Sequence, residues 1–305
     1  MNLPKFLFVG TAKAGTTSIY EYLKQHNEIE IPKKETFYFL RDIIADNHLP
    51  YPKQRAKSEL VLTESEYLSY YDQIDPSKIV GEIGTGYLYY YKESTKRILQ
   101  TLGSGVKICI ILRNPVDRCF SSYLHFVKDL HERGTFEEAL ASEKSRIEAK
   151  WDFMWHHSAM GCYANQVAHF IDTFPNVKIW LYDDLRERPV ETMNEIISFI
   201  GASPKQDWKI EKIFNPSGQP KNKSLQKLIT HENPIKSIFR PLFRLFFSNE
   251  KREKIRKNAK SRNINKDMRM TSNQKLTLIK FYNSEIIRLE KIVKRSLDFW
   301  LKPVN

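Results

Sequence analysis

Three observations predict an α/β fold in which helices cover both faces of a parallel sheet. Apolar runs of strand length alternate with amphipathic runs of helical length along most of the chain. The run at 106–112 is almost continuously apolar, as a central strand buried on both faces should be. Near the start, an apolar run at 6–9 ends in a small-residue loop that leads into a helix. The expected architecture is therefore a three-layer parallel sheet flanked by helices.

The remaining elements follow in order from the same criteria. Strands are also expected at three further segments: 29–31, 78–82 and 177–182. After the helix that begins near Ser18, more helices are expected at six segments: 64–71, 94–102, 115–127, 136–147, 162–174 and 189–200. Residues 41–60 are polar, include two prolines and are predicted to be a loop. Thr271 and Gln274 match a capping box and mark the start of a long final helix.

The composition indicates a large folded core. The 305 residues are 41% hydrophobic and 12% aromatic, enough for one domain over 1–305, with a basic helical lobe at about 224–270 before the final helix. No apolar run approaches the roughly 20 residues of a membrane span, and the apolar N-terminal run is too short for a signal peptide. Cys109, Cys119 and Cys162 show neither zinc nor disulfide spacing. We therefore expect a cytoplasmic protein with reduced cysteines and no metal.

Positive charge is concentrated in one segment. The chain carries a formal charge of +13, and residues 236–269 hold twelve lysines and arginines against three acids, a local +9. Within this part of the chain, apolar residues alternate with basic ones over 234–247. Two interpretations stay open: a lobe helix with a solvated basic face, or a contact with the acceptor or with an anionic membrane through residues 234–269.

The loop after the first strand, Gly10-Thr-Ala-Lys-Ala-Gly15, predicts an anion site. A helix entered from such a loop directs its free N–H groups and the positive end of its dipole toward the loop. Lys13 adds a positive charge, and Thr16 and Thr17 add hydroxyls. Nucleotide triphosphatase loops place their lysine directly after the second glycine, whereas here it comes two residues before Gly15. We therefore expect a P-loop-like nucleotide-binding core whose lysine lies in a different place. An ordinary glycine-containing turn with an exposed lysine is the alternative.

A second anion-binding pattern follows the central predicted strand. Arg113 comes directly after that strand, Asn114 can cap the next helix, and Ser121 lies farther along it. By itself this pattern is also typical of solvated helix caps. Because the carboxyl ends of parallel strands share one edge of a sheet, we expect Arg113, Glu82 and the Lys13 loop to lie at that edge. Arg113 and the Lys13 loop together suggest a ligand with two anionic ends. Glu82 follows another strand and either orients substrate or caps the next turn.

These two motifs resemble those of sulfotransferases that use 3′-phosphoadenosine 5′-phosphosulfate (PAPS). The stretch Lys13-Ala14-Gly15-Thr16-Thr17 is similar to their 5′-phosphosulfate loop, and Arg113 with Ser121, eight residues later, is similar to their 3′-phosphate motif. Shorter similarities extend the resemblance over most of the chain: 81–88, 182–185, 289–291 and 300–301. The resemblance implies that these residues bind PAPS as co-substrate and that adenosine 3′,5′-bisphosphate is the product.

The segment Lys33-Lys-Glu-Thr-Phe-Tyr-Phe39 resembles a motif of the heparan sulfate N- and 3-O-sulfotransferase branch. That resemblance implies that Glu35 is the catalytic base and that Lys34 contributes to the electrostatics of the active site. The branch has a lysine soon after the glutamate of its Gly-Glu segment, where this chain has Ile83. It also has a cysteine-flanked Lys-Gly-Arg loop, for which Lys221-Asn-Lys223 is at most a loose substitute. The implied acceptor is a carbohydrate or glycolipid, but heparan-like specificity is not implied.

The implied mechanism is in-line displacement at sulfur. Glu35 takes the proton of an acceptor hydroxyl or amine, while Lys13 and the loop N–H groups stabilise the departing 5′-phosphate, so that no metal is required. Four histidines are rival bases: His125, His156, His157 and His169. Tyr163 is either a nucleotide contact or a core tyrosine.

Two other functions remain as alternatives. A P-loop kinase that uses ATP is disfavoured by the position of Lys13 and by the lack of an apolar strand ending in aspartate. A basic module that binds glycan or nucleic acid without catalysis would bind in a strongly salt-dependent way, indifferent to the sulfonucleotide. The resemblance favours the transferase, with no nucleic-acid partner.

Overall fold

The structure is a computed structural model that describes residues 2–46, 60–210, 219–222, 224–226, 263–265 and 268–302. Five strands form one sheet: β1 Phe6–Gly10, β2 Ile29–Glu30, β3 Ile79–Ile83, β4 Lys107–Leu112 and β5 Val177–Leu181. Their order across the sheet is β2-β3-β1-β4-β5, and every neighbouring pair is parallel. A separate antiparallel pair joins β6 Gln219–Pro220 to β7 Ile264–Asn265. The predicted parallel sheet is confirmed.

Helices connect these strands. The α-helices of the described residues are α1 Thr16–Leu23, α2 Arg41–Asp46, α3 Glu64–Ser69, α4 Tyr91–Leu102, α5 Pro115–Lys128, α6 Phe136–Ala141, α7 Glu143–Glu148, α8 Tyr163–Thr173, α9 Tyr182–Glu187, α10 Pro189–Ile200, α11 Ser272–Val293 and α12 Asp298–Leu301. Short 3₁₀ helices lie at Tyr38–Leu40, Phe153–Trp155 and Ala159–Gly161. The predicted caps are confirmed, because Asn114 Oδ1 accepts the N–H of Val116 at 3.0 Å and a capping box at Thr271 begins α11.

Alternate residues of the sheet face two separate cores. Leu7 and Ile110 belong to one core, which also contains buried residues of α4, α5, α8 and α11. Phe8 and Ile111 belong to the other core, which α1 and α10 close. All of β1 is buried because both of its faces are covered. The protein therefore has the predicted three layers, and the carboxyl ends of β3, β1 and β4 lie side by side.

Some local predictions differ from the structure. The predicted loop at 41–60 is wrong in its first part, because α2 forms there and buries Ile44 in the core. The helix predicted over 136–147 is two helices, α6 and α7. The hydroxyl of Ser142 donates to the backbone carbonyl four residues back, a contact that bends helices. Tyr182, predicted as the last residue of a strand, instead begins α9.

Within the described ranges, no helix is both long enough and apolar enough to cross a bilayer. The basic segment 234–247 lies outside the described residues, as does most of 236–269, so both interpretations of this segment stay predictions. The assignment of 1–305 to one domain, with a lobe at about 224–270, also stays a prediction.

Candidate active site

The loop between β1 and α1 is shaped to admit an anion. Gly15 precedes α1 with a φ of 87°, in the left-handed region that glycine tolerates best. A Cβ at this position would also lie 3.0 Å from ring carbons of Tyr182. Because glycine brings no side chain to cap α1, the first N–H groups of the helix stay available to a ligand.

The two predicted phosphate motifs meet at the end of the sheet. Arg113 Nη1 donates to the backbone carbonyl of Lys13 at 3.0 Å, across the neighbouring strands β1 and β4. The guanidinium also lies 4.9 Å from the ring centre of Tyr182, which follows β5. Tyr163 is buried, and its hydroxyl donates to the Arg113 carbonyl at 3.0 Å, so it is a core tyrosine that holds the Arg113 backbone. The carboxyl ends of the adjacent strands β1, β4 and β5 thus converge. The sequence predicts the meeting of Arg113 with the Lys13 loop, but not the contact with Tyr182.

The other predicted nucleotide-binding residues lie in the first turn of α1 and in α5. Ala14 is fully buried, Thr16 is buried at the start of α1, and Thr17 Oγ1 accepts from Lys34 Nζ at 3.0 Å. Ser121 is buried in α5, eight residues after Arg113.

Lys13 sits among other positive charges. Its pKa is lowered to about 7, first by burial and then by the nearby charges of Lys128 and Arg113. Arg118 acts in the same direction, whereas Asp129 opposes the shift. Positive groups that disfavour one another's charge are stabilised when an anion arrives between them. The local field therefore favours a negatively charged ligand.

Sequence reasoning missed two of these cations, Arg118 and Lys128. Both lie on α5 and both are buried. Arg118 donates to the backbone carbonyl of His157 and approaches Met160 Sδ at 3.9 Å. A signal was available, because Arg118, Ser121 and Lys128 recur at helical spacing and so share one face of α5. Periodicity within this helix would have pointed to both residues.

Glu35 lies beside the phosphate loop. Its N–H donates to the Ile83 carbonyl at 2.8 Å, which ties this segment to the end of β3. Lys34 Nζ lies 3.4 Å from Glu35 Oε1 and donates to Thr17 Oγ1 at 3.0 Å. Thr85 Oγ1 lies 3.5 Å from the same carboxylate oxygen. One lysine therefore connects the predicted base to the first turn of α1.

Glu82 is fully buried and accepts a hydrogen bond from Thr36, next to Glu35 in the chain. Its carboxylate is fully buried and accepts hydroxyl hydrogen bonds from Thr36 at 2.6 Å, Tyr87 at 2.5 Å and Tyr67 at 2.9 Å. Burial raises its pKa, and the hydroxyl donors oppose that rise. Because the carboxylate is fully buried, it contacts Thr36, the neighbour of Glu35, and is not placed to orient a substrate directly.

The four histidines differ in what they can do. His156 and His157 are buried, and burial lowers their pKa values to about 4 and about 3. Their Nδ1 atoms, like Nε2 of His169, each lie 3.0 Å from a hydroxyl oxygen. His125 is half-buried on α5, four residues after Ser121 and on the same face. Of the predicted rival bases, His125 is the one that shares a helix face with a predicted nucleotide-binding residue.

The C-terminal helix α12 links the segments that follow β4 and β5. Trp300 Nε1 donates to Asp183 Oδ2 at 3.1 Å, and Asn114 Nδ2 donates to the Trp300 carbonyl at 3.2 Å. Trp300 is buried, so water does not compete strongly for these hydrogen bonds. The sequence resemblance at 300–301 implied no role for Trp300. The fold shows that it bonds to Asn114, which follows β4, and to Asp183, which follows β5.

Known proteins share this sequence pattern and this fold. The family described as sulfotransferase domain matches residues 3–285. The bifunctional heparan sulfate N-deacetylase/N-sulfotransferase of Drosophila melanogaster is 26% identical over 217 residues, covering 68% of this chain and 20% of that protein. The human heparan sulfate glucosamine 3-O-sulfotransferase 3B1 is 23% identical over 205 residues, covering 65% of this chain and 46% of that protein. The match therefore spans less than half the length of either relative.

A solved structure is similar over its whole length. The sulfotransferase from Alicyclobacillus acidocaldarius is 27% identical, with a TM-score of 0.74 over 99% of this chain and 100% of that chain. The likeness includes the parallel sheet flanked by helices.

Proposed function

The chain belongs to the sulfotransferase domain family, and from this premise we propose that it transfers the sulfuryl group of PAPS to a carbohydrate or glycolipid. The observation that carries the proposal is the hydrogen bond from Arg113 to the Lys13 carbonyl, because it joins two anion-binding motifs at one edge of the sheet. Two relatives named for heparan sulfate support a carbohydrate acceptor.

In this proposal PAPS is held at its two anionic ends. The residues around its 5′-phosphosulfate are Lys13, Ala14, Gly15, Thr16 and Thr17. The residues that hold its 3′-phosphate are Arg113 and Ser121. The available N–H groups of α1 and the excess of positive charge around Lys13 fit such a ligand.

Glu35 is the base of the proposed reaction. Its carboxylate takes the proton of an acceptor hydroxyl or amine, whose oxygen or nitrogen bonds to sulfur as the bond from sulfur to the 5′-phosphate oxygen breaks. The departing phosphate keeps the electron pair, and Lys13 with the loop N–H groups stabilises its charge. The position of Lys34, between Glu35 and Thr17, supports this assignment because it keeps the base within one side chain of the phosphate loop.

Calorimetry with adenosine 3′,5′-bisphosphate tests the nucleotide half of the proposal. We expect binding at micromolar concentrations or below. Adenosine 5′-monophosphate should bind at least about tenfold more weakly, because it offers no 3′-phosphate to the charge-assisted donors of Arg113. If the bisphosphate does not bind at micromolar concentrations, the proposal is wrong.

The Glu35→Gln variant tests the base. It should bind adenosine 3′,5′-bisphosphate as the unchanged protein does and lose transfer by about 10²-fold or more, because glutamine cannot accept the proton. Glu30→Gln, which removes an exposed carboxylate five residues earlier, is the matched control and should remain active. Full activity of Glu35→Gln would show that the base is elsewhere, with His125 the first residue to test.

A further inference from the structure

Aromatic side chains form a wall beside Glu35. The rings of Phe37 and Phe153 lie 6.1 Å apart, and those of Tyr90 and Phe153 lie 6.0 Å apart. Phe153 is buried, whereas Phe37 and Tyr90 are partly exposed. We call Phe37, Tyr90 and Phe153 the aromatic wall. It consists of one buried ring, Phe153, and two partly exposed rings packed against it.

Two connections place the aromatic wall next to the base. The first connection is the chain itself: Thr36 is fully buried and donates a hydrogen bond to Glu82, and it lies between Glu35 and Phe37. Glu35 and Phe37 are partly exposed, and their φ angles of 59° and 56° are in the left-handed region. Non-glycine residues in this region cluster at functional sites. The second connection runs through Thr85, which lies beside the Glu35 carboxylate and directly precedes Gly86 in the chain.

Gly86 brings the chain against the aromatic wall. A Cβ on this glycine would lie 2.7 Å from the ring of Phe153, so no larger residue fits without moving that ring. The base carboxylate and the Phe153 ring are therefore separated by two adjacent residues, Thr85 and Gly86. An acceptor whose hydroxyl reaches Glu35 would extend across Phe37 and Tyr90.

The two lysines that precede Glu35 in the sequence both contact other side chains of the protein. Lys33 Nζ donates to the Tyr70 hydroxyl at 2.9 Å and lies 4.8 Å from the centre of that ring. Lys34 contacts Thr17 and Glu35. Among the residues that the structure describes, an anionic sugar placed here would meet apolar rings and the Glu35 carboxylate, whose lysine neighbour already contacts protein groups. Burying the sugar's charge without a partner is costly. A neutral sugar has C–H groups that can pack against the rings.

Building on the proposed function, we propose that the sugar ring that carries the reacting hydroxyl is uncharged and packs its C–H face on Phe37 and Tyr90. Uronates and sugars that are already sulfated at that ring should react less well, because Glu35 repels their charge and the aromatic wall offers no opposite charge. The inference concerns the reacting ring, and more distant parts of a long acceptor are free to carry charge.

Paired acceptors test this inference in assays with PAPS and the full chain. Octyl β-glucoside and octyl β-galactoside are compared with the corresponding uronides, which differ only by oxidation at C6. Octyl β-xyloside is neutral and lacks C6, so it separates loss of charge from loss of a hydroxyl. The neutral glycosides, including the xyloside, should show kcat/KM values at least about tenfold above those of the uronides, as expected for one buried charge or one good ring contact.

Three results would overturn the inference alone: transfer to uronides as good as to neutral glycosides, preference for a simple phenol, or no transfer to any neutral glycoside. Each counts against it when the protein still binds adenosine 3′,5′-bisphosphate. Absence of that binding is the different outcome in which the proposed function itself fails.

Substitutions at Phe37 test the wall directly. Phe37→Ala should raise the acceptor KM about tenfold and leave the KM for PAPS unchanged, whereas Phe37→Tyr, which keeps the ring, should restore acceptor binding. Phe37→Arg should shift the preference toward the uronides. Phe281→Ala, at an exposed phenylalanine on α11, is the control. An unchanged acceptor KM in Phe37→Ala would refute the role of the aromatic wall.

Discussion

The two sides of the candidate site are built in different ways. On the proposed nucleotide side, Lys13 lies in the loop after β1, and Arg113 directly follows the neighbouring strand β4. The two residues meet through the Lys13 backbone carbonyl. On the acceptor side, Glu35 lies in an irregular segment that a side-chain hydrogen bond from Thr36 to buried Glu82 holds in place. The proposed nucleotide side is therefore built from backbone geometry and local motifs, whereas the proposed acceptor side is built from side chains brought together from distant parts of the chain.

The largest expected effect is on kcat in the Lys13→Ala variant, which tests whether the two sides act independently. Lys13→Ala should lower kcat by about 10³-fold, because the charge that develops on the 5′-phosphate loses its cation. The acceptor KM should change little, since the acceptor side is built independently. Initial rates with PAPS measure both values, and Lys24→Ala, an exposed lysine just after α1, is the matched control. More than a tenth of the normal kcat in Lys13→Ala would contradict this division.

The pH dependence of nucleotide binding provides a second test. The pKa of Lys13 is about 7 in the free protein because burial and its cationic neighbours disfavour the charged form. A phosphate favours that charged form and raises the pKa, so binding above pH 7 takes up a proton. Affinity for adenosine 3′,5′-bisphosphate should therefore fall by up to about tenfold per pH unit above pH 7, until the pKa of the complex is passed.

Calorimetry at pH 8 in two buffers of different ionisation enthalpy measures the proton uptake. Below pH 7, Lys13 is already mostly charged and contributes little uptake. Lys13→Arg should abolish this dependence, because an arginine stays protonated over the whole range. Equal binding enthalpies in the two buffers would mean that Lys13 does not titrate on binding.

The smallest effect is expected on the acceptor side, at Thr36. Thr36→Val removes the hydroxyl that donates to Glu82 at 2.6 Å and keeps the shape of the side chain. The free energy of unfolding should fall by about 1–3 kcal/mol, because a buried carboxylate loses a donor. We expect kcat to fall roughly fivefold as Glu35 loses its support, which corresponds to about 1 kcal/mol.

The affinity of Thr36→Val for adenosine 3′,5′-bisphosphate should be unchanged. Thr277→Val on α11, where an exposed hydroxyl donates to the Asn273 carbonyl of the same helix, is the control for the substitution itself. Parallel losses of nucleotide affinity and kcat would show that the two sides are coupled and not separately built.

Much of the nucleotide side was predictable because its signals are local. The apolar run that became β4, the cap at Asn114 and the small-residue loop around Lys13 each depend on residues close in sequence. The rule that ligands lie at the carboxyl ends of parallel strands then placed Lys13 and Arg113 together. The structure shows that contact directly.

The acceptor side and the supporting charges were less predictable. Burial of Arg118 and Lys128 depends on what packs over α5, and the bridge from Trp300 to Asp183 joins residues more than a hundred positions apart. The short helix α2 was missed because one and a half turns carry too little periodicity to stand out from a loop.

The sequence by itself determined the five strands of the main sheet, most of the longer helices, the caps at Asn114 and Thr271, and the identity of the groups offered to an anion, because these depend on neighbours within a few residues. Only the tertiary structure decided that β1 lies between β3 and β4, that Glu82 is buried beneath Thr36, and that Phe37 stands beside Phe153. Those arrangements arise from contacts between segments that are distant in the chain, because the burial of a side chain depends on what the fold packs over it.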